Sequence, residues 1–136
     1  MVDEKLQEKY VLYQLLQQNL ESLRQQLELV ERQLIEIKTT ELVFRDFKNK
    51  KGIDDVLIPL GSGCYGKAKI TDVKSVLVNL GANVMVNKTL ESAELFLKRR
   101  EEELEKVGRE IQEQMIRVAN EINEIAVEIQ RLAREK

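Results

Sequence analysis

Gly61-Ser62-Gly63-Cys64-Tyr65-Gly66 has the G-x-G-x-x-G spacing of a dinucleotide loop, and with Lys67 it falls one residue short of a P-loop. Either loop must open into a helix whose N-terminus meets the phosphate. Lys67 to Ile70 instead alternate like a strand, and Ala68 stands where a magnesium-binding hydroxyl belongs. The glycines therefore read as turn residues of a hairpin. Zero histidines exclude histidine-based triads and most zinc sites, leaving carboxylate chemistry. Glu101, Glu102 and Glu103, like Glu121, Glu124 and Glu128, have the spacing of a solvated helix face paired with Arg and Lys. No catalytic residue, metal ligand or cofactor is expected, and the chain reads as a non-enzyme.

The elements around that loop are of two kinds. Residues 56 to 88 are the only stretch without helical periodicity, and they read as two β-hairpins. Runs at 56 to 60 and 64 to 70 flank Gly61-Ser62-Gly63; runs at 75 to 80 and 84 to 88 flank Gly81-Ala82-Asn83. Cys64, Gly66, Ala68 and Ile70 share a face, as do Val76, Val78 and Leu80, and Val84 and Val86. Pro59 places the first strand at an edge or beside a bulge. Four short strands bury too little to stand alone. Val56, Ile58, Leu60, Ile70, Val76, Val78, Leu80, Val84 and Val86 are therefore expected at an interface between subunits.

Length allows one domain of 136 residues, and 34% charged with 4% aromatic residues suits helix surfaces better than a globular core. Two helical arms are expected, at 3–47 and 89–135. The first has Asp3 as N-cap and a seam of Leu6, Tyr13, Leu16, Leu20, Leu23, Leu27, Val30, Leu34 and Ile37, with Phe44 continuing the register. It runs about 40 residues, roughly 60 Å at the helical rise. The second has Thr89 as N-cap and a seam of Leu90, Ala93, Leu97, Leu104, Val107, Ile111, Met115, Val118, Ile122, Ile125, Ile129 and Leu132. Val107 to Ile111 to Met115 makes an eleven-residue unit that relaxes the supercoil, with Gly108 softening it. Arg100 takes a seam position near the base, where its long side chain snorkels outward or faces a partner subunit. Arms of matching length leaving one β block are expected to fold back as an antiparallel coiled coil rather than pair in a parallel homodimer, so the fold class is α+β, mostly α.

Val11, Leu12, Leu15 and Val127 are apolar yet fall outside the seam, near the free ends. Single exposed apolar residues are ordinary, and Leu29 and Ile35 are also off the seam. Their grouping at the ends favours a deliberately adhesive tip. A net charge of −2 with interleaved signs argues against general nucleic-acid binding. One cysteine, no signal-like segment and no long apolar run point to the cytoplasm, with no membrane span.

The whole chain resembles an alpha-class prefoldin subunit of the archaeal type. The resemblance rests on Val56-Leu-Ile-Pro-Leu-Gly-Ser-Gly-Cys-Tyr-Gly-Lys-Ala-Lys-Ile70, on Val76-Leu-Val-Asn-Leu-Gly81, and on Val84-Met-Val-Asn-Lys-Thr89 leading into Leu90-Glu91-Ser92-Ala93. Two hairpins rather than one assign the class; Gly66 and Ala82-Asn83 depart from the usual pattern. The resemblance implies an ATP-independent holdase. Two such subunits and four beta-class partners would join hairpins into an inter-subunit β-barrel and pass non-native clients to a group II chaperonin. The client surface is then expected at Val2, Leu6, Val11, Leu12, Leu15, Val127, Ile129, Leu132 and Ala133. The alternative is a structural coiled-coil adaptor for one folded partner.

Overall fold

The computed structural model describes residues 2–135. Helix α1 (Val2–Asn49) is followed by strands β1 (Ile53–Gly61), β2 (Cys64–Ile70), β3 (Ser75–Asn79) and β4 (Met85–Thr89), then helix α2 (Leu90–Arg134). Helices and hairpins stand in the expected order. Asp3 is not an N-cap but lies with Glu4 inside the first turn of α1, where the helix dipole favours carboxylates. Thr89 does cap α2: its Oγ1 accepts the Ser92 N–H at 3.2 Å. The chain divides into two compact units, Met1–Leu34 with Glu103–Lys136, and Ile35–Glu102.

In the first unit α1 and α2 pack antiparallel. Lys9 Nζ meets Glu128 Oε2 at 2.7 Å, while a methyl on Gly108 would stand 3.6 Å from Val30 Cγ1 and 3.9 Å from Leu27 Cδ1. Leu23, Val30, Ile111 and Val118 form the buried core, with Leu16, Leu20, Leu27, Leu34, Leu104, Met115 and Ile122 around it. These are the predicted seams, with one correction. Val107 is 42% exposed and Gly108 is buried in its place. The seam then steps Leu104, Gly108, Ile111, Met115, Val118 and onward in unbroken four-three alternation, so no eleven-residue unit exists there. A hydrophobicity pattern overlooks glycine, yet a position without a side chain is where a facing Val and Leu can approach the backbone.

Gly108 carries no positive φ and faces ordinary van der Waals space. Gly108→Ala should therefore stabilise the chain by about 1 kcal/mol, from lower unfolded-chain entropy and better helix propensity. A urea unfolding midpoint that rises checks this; a lower midpoint would show that Val30 cannot yield.

In the second unit the hairpins stand on the C-terminal turns of α1 and the first turns of α2. Phe44, Phe47, Val73, Leu90 and Ala93 form its core, and Ile53, Ile70, Val76, Val78 and Leu97 pack against it. Strands β1 and β2 form one antiparallel sheet and β3 and β4 another; β2 and β3 do not pair. Val56 faces Ala68, Ile58 faces Gly66, and Val78 faces Val86, which is the predicted alternation. The register shifts between Ile53 and Val56, where Asp55 has φ 58°, and again between Pro59 and Gly61. Pro59 thus sits both on an edge strand and beside an irregularity. Ser62, Ala82 and Asn83 take left-handed φ values of 49°, 50° and 61° with Gly61, Gly63 and Gly81 around them. Gly81 is held further by its N–H donating to Asn79 Oδ1 at 2.9 Å.

Candidate functional site

Cys64 opens strand β2 immediately after the turn, so the glycine run leads into a strand and not a helix. No helix N-terminus faces a ligand at that loop. Among the described residues no group of His, Cys, Asp and Glu is placed to hold a metal ion. Among the described residues no helix is long and apolar enough to cross a membrane. The chain also presents two exposed apolar surfaces.

The first surface belongs to the hairpins. Ile58, Leu60, Leu80 and Val84 are exposed, whereas Val56 and Val86 are half-buried. Ile70, Val76 and Val78 are half-buried too, against the core of their own unit. Sequence reading passed over Leu57, Tyr65, Leu77 and Met85, each more than half exposed on the opposite faces. The alternation did place Leu57 and Leu77 out of phase with the chosen set. Reading one face per strand as apolar hid that both faces are. Gly66 leaves a gap on its face that Ile58 and Leu60 cover, their side-chain carbons 3.5 to 3.6 Å from where a Cβ would stand.

The second surface lies in the first unit. Val11 and Leu15 are each 56% exposed and Val127 65%, with Leu12 and Ala133 also exposed. Tyr10 joins them at 49%, and sequence reading passed over it. Leu6 and Leu132 are buried in the seam, Val2 and Ile129 half-buried. Tyr10, Tyr13, Ala126 and Ile129 line an open groove of about 410 Å³.

A polar layer interrupts the seam of the second unit. The heptad that puts Leu27 and Leu34 at position a puts Glu41 there next, and α2 answers with Glu101. Arg100, predicted at that position, is exposed; Ala93, Leu97 and Glu101 follow at two consecutive four-residue steps. Glu41 Oε1 and Glu101 Oε2 are both buried without another hydrogen-bond partner. The Glu101 carboxyl is held above the usual range by a hydrogen bond to Glu41, then by desolvation and by the like charge, with Lys98 and Lys38 opposing. The first unit solves the same problem with opposite charges: Lys9 occupies a d position and Glu128 pairs with it. That bond to Lys9 and its charge, then Arg131, hold Glu128 below the usual range.

Comparison with known proteins follows the same lines. A family model described as prefoldin subunit matches residues 16–135. The chain is 39% identical over 92 residues to prefoldin subunit alpha of Methanococcoides burtonii, covering 68% of this chain and 67% of that protein. It is 35% identical over 96 residues to prefoldin subunit alpha 1 of Thermococcus kodakarensis, covering 71% and 66%. These alignments span about two thirds of each relative's length. A chain from the cryo-EM structure of filamentous PFD from Methanocaldococcus jannaschii superposes with a TM-score of 0.72 at 16% identity, covering 85% of this chain and 96% of that one, so the fold is shared.

Proposed function

Because the chain belongs to the prefoldin family, a family of chaperones, we propose that it is an ATP-independent holdase subunit that captures non-native proteins on the exposed apolar residues of its first unit. The observation that carries this reading is that Val11, Leu12, Leu15 and Val127 stay in water although the seam beside them is filled by Leu6, Tyr13, Ile125 and Leu132. The coiled coil does not need them. An unfolded client offers scattered apolar segments without fixed shape, and several weak contacts suit it better than one pocket. At about 25 cal/mol per Å², such a patch yields a few kcal/mol after ordering costs. That is weak enough to release without ATP, and several subunits acting together supply avidity. Leu6, Leu132, Ile129 and Val2 contribute where the helix ends fray.

The remaining parts of the reading concern partners. The hairpin residues Val56, Ile58, Leu60, Ile70, Val76, Val78, Leu80, Val84 and Val86 join those of beta-class subunits in an inter-subunit β-barrel of a hetero-hexamer. The assembly works in the cytoplasm, delivers clients to a group II chaperonin, and uses residues 1–136 as one prefoldin-like domain without cofactor or catalysis. Open strand edges and apolar hairpin faces in water support this, since isolated two-stranded sheets are marginal.

Deleting residues 1–12 and 126–136 should leave the hairpins and the oligomer and abolish protection of several unrelated aggregating proteins, read by light scattering. Undiminished protection would place the clients elsewhere. Protection confined to one protein would instead favour an adaptor.

A further inference from the structure

The second unit contains a feature outside the two apolar surfaces described above. An open recess of about 900 Å³ lies between the last turn of α1, the connector from β2 to β3, and the first turn of α2. Phe47, Val73 and Leu90, all buried core residues, form its floor. Four lysines, Lys48, Lys50, Lys51 and Lys74, stand around it against two carboxylates, Asp72 and Glu91. In a chain of net charge −2 this is a local reversal of sign.

Two carboxylates offset the four lysines only in part, Asp72 interacting with Lys74. Both oxygens of Asp72 are engaged, Oδ1 by the Lys74 N–H at 2.9 Å and Oδ2 by the Ser75 hydroxyl at 2.8 Å. Lys48 is bound at 2.9 Å to Glu94, outside the recess lining. Lys50 and Lys51 form no ion pair among the described residues. They lie at the exposed junction between α1 and β1, where the chain has left the helix and their stems are free to reach inward.

We propose that this recess binds an extended acidic segment of a partner polypeptide. Charge complementarity selects carboxylates, and the lining selects an extended chain: flexible, compact ammonium groups accept carboxylates in many registers. Arginine, whose planar fork recognises phosphate bidentately, is absent from the lining. Three or four lysines would neutralise few phosphates of a nucleic acid, and the interleaved acids of the helices would repel the rest.

The test uses the full chain, alone and assembled with beta-class prefoldin subunits, and a fluorescein-labelled decaglutamate peptide in anisotropy titrations. Binding at low salt that weakens roughly tenfold by physiological ionic strength is expected, with a decaglutamine peptide inert. Combined Lys50→Gln, Lys51→Gln and Lys74→Gln substitution should weaken binding roughly tenfold at unchanged helicity. Should that variant misfold, carbodiimide cross-linking of the peptide to the unmodified chain gives the same answer, with adducts expected at Lys50, Lys51 and Lys74. Adducts spread over the helices, equal affinity in the variant, or tighter binding of a ten-residue oligothymidylate than of the peptide would each overturn the proposal. So would loss of binding on assembly, which would make the recess part of the subunit interface.

Discussion

Ile58→Asp together with Val84→Asp should reduce the oligomer to single chains while leaving far-ultraviolet helicity nearly intact. Both side chains are exposed on hairpin faces, at 45% and 52%, and neither belongs to the core of the unit that carries it. An apolar side chain fully buried at an interface contributes about 1.5–3 kcal/mol, and a carboxylate buried without a partner costs several more. Two such changes, repeated in each copy of the subunit, shift assembly by many orders of magnitude in concentration. Val78→Asp would be a poorer choice because Val78 packs on the core around Phe44 and Ala93, and its loss would damage the chain itself. Analytical ultracentrifugation reads the result. A double variant that sediments like its parent would remove the hairpin faces from the interface.

Replacing the facing carboxyls by leucine, Glu41→Leu with Glu101→Leu, should stabilise the helix pair at neutral pH by about 1 kcal/mol, the low end for such changes because both residues are half-buried. Apolar residues of similar volume commonly outperform buried ionic groups by about 1–4 kcal/mol, and here the charges are alike. The pH dependence follows from the raised Glu101 value. A group whose pKa is raised on folding binds its proton more tightly when folded, so its contribution is present below the ordinary glutamate range. It is lost as pH rises through the higher folded value. Asp72 and Glu128, both lowered, contribute in the opposite sense and are lost as pH falls through their folded values. The unmodified chain should therefore gain stability when acidified from neutrality toward the glutamate range and lose it further down. Glu101→Gln should flatten the upper limb alone. Urea midpoints measured across pH decide this; an unchanged upper limb in Glu101→Gln would show that Glu101 does not set it. Arg45, Lys48 and Glu94 lie near Glu41 and, with Lys38 and Lys98, set how steep the limb is.

Much of this was legible because helical periodicity is a strong local signal. Every apolar residue predicted in the seam of α1 is buried or half-buried, and on α2 all but Val107 are; Arg100, also placed there, is exposed. The failure there has a plain cause: a scan for apolar residues selects Val107, whereas close packing selects the residue that lets Val30 and Leu27 approach. Glu41 was equally within reach, since extending the heptad from Leu34 lands on it. Its polarity hid it, and Phe44 was taken as the next seam residue.

The candidate surfaces divide differently. That Val11, Leu15 and Val127 face water follows from register alone, because a two-helix seam covers only positions a and d and their neighbours. That Val76 and Val78 lean on their own helices while Ile58 and Val84 do not could not be read from alternation. Period two fixes which residues share a face, not what lies opposite that face.

The order of helix, two hairpins and helix, the antiparallel return, the turn glycines and the Thr89 cap were all determined by local chemistry: spacing, propensity and the φ values that turn residues accept. Tertiary structure alone decided which apolar hairpin residues are spent on the chain's own core, that Gly108 and not Val107 enters the seam, and that Glu41 meets Glu101. It also drew Lys48, Lys50, Lys51 and Lys74 around one recess. Each of these depends on which atoms of a distant segment stand opposite a residue, and that opposition is set by close packing between elements, to which periodicity along one element is blind.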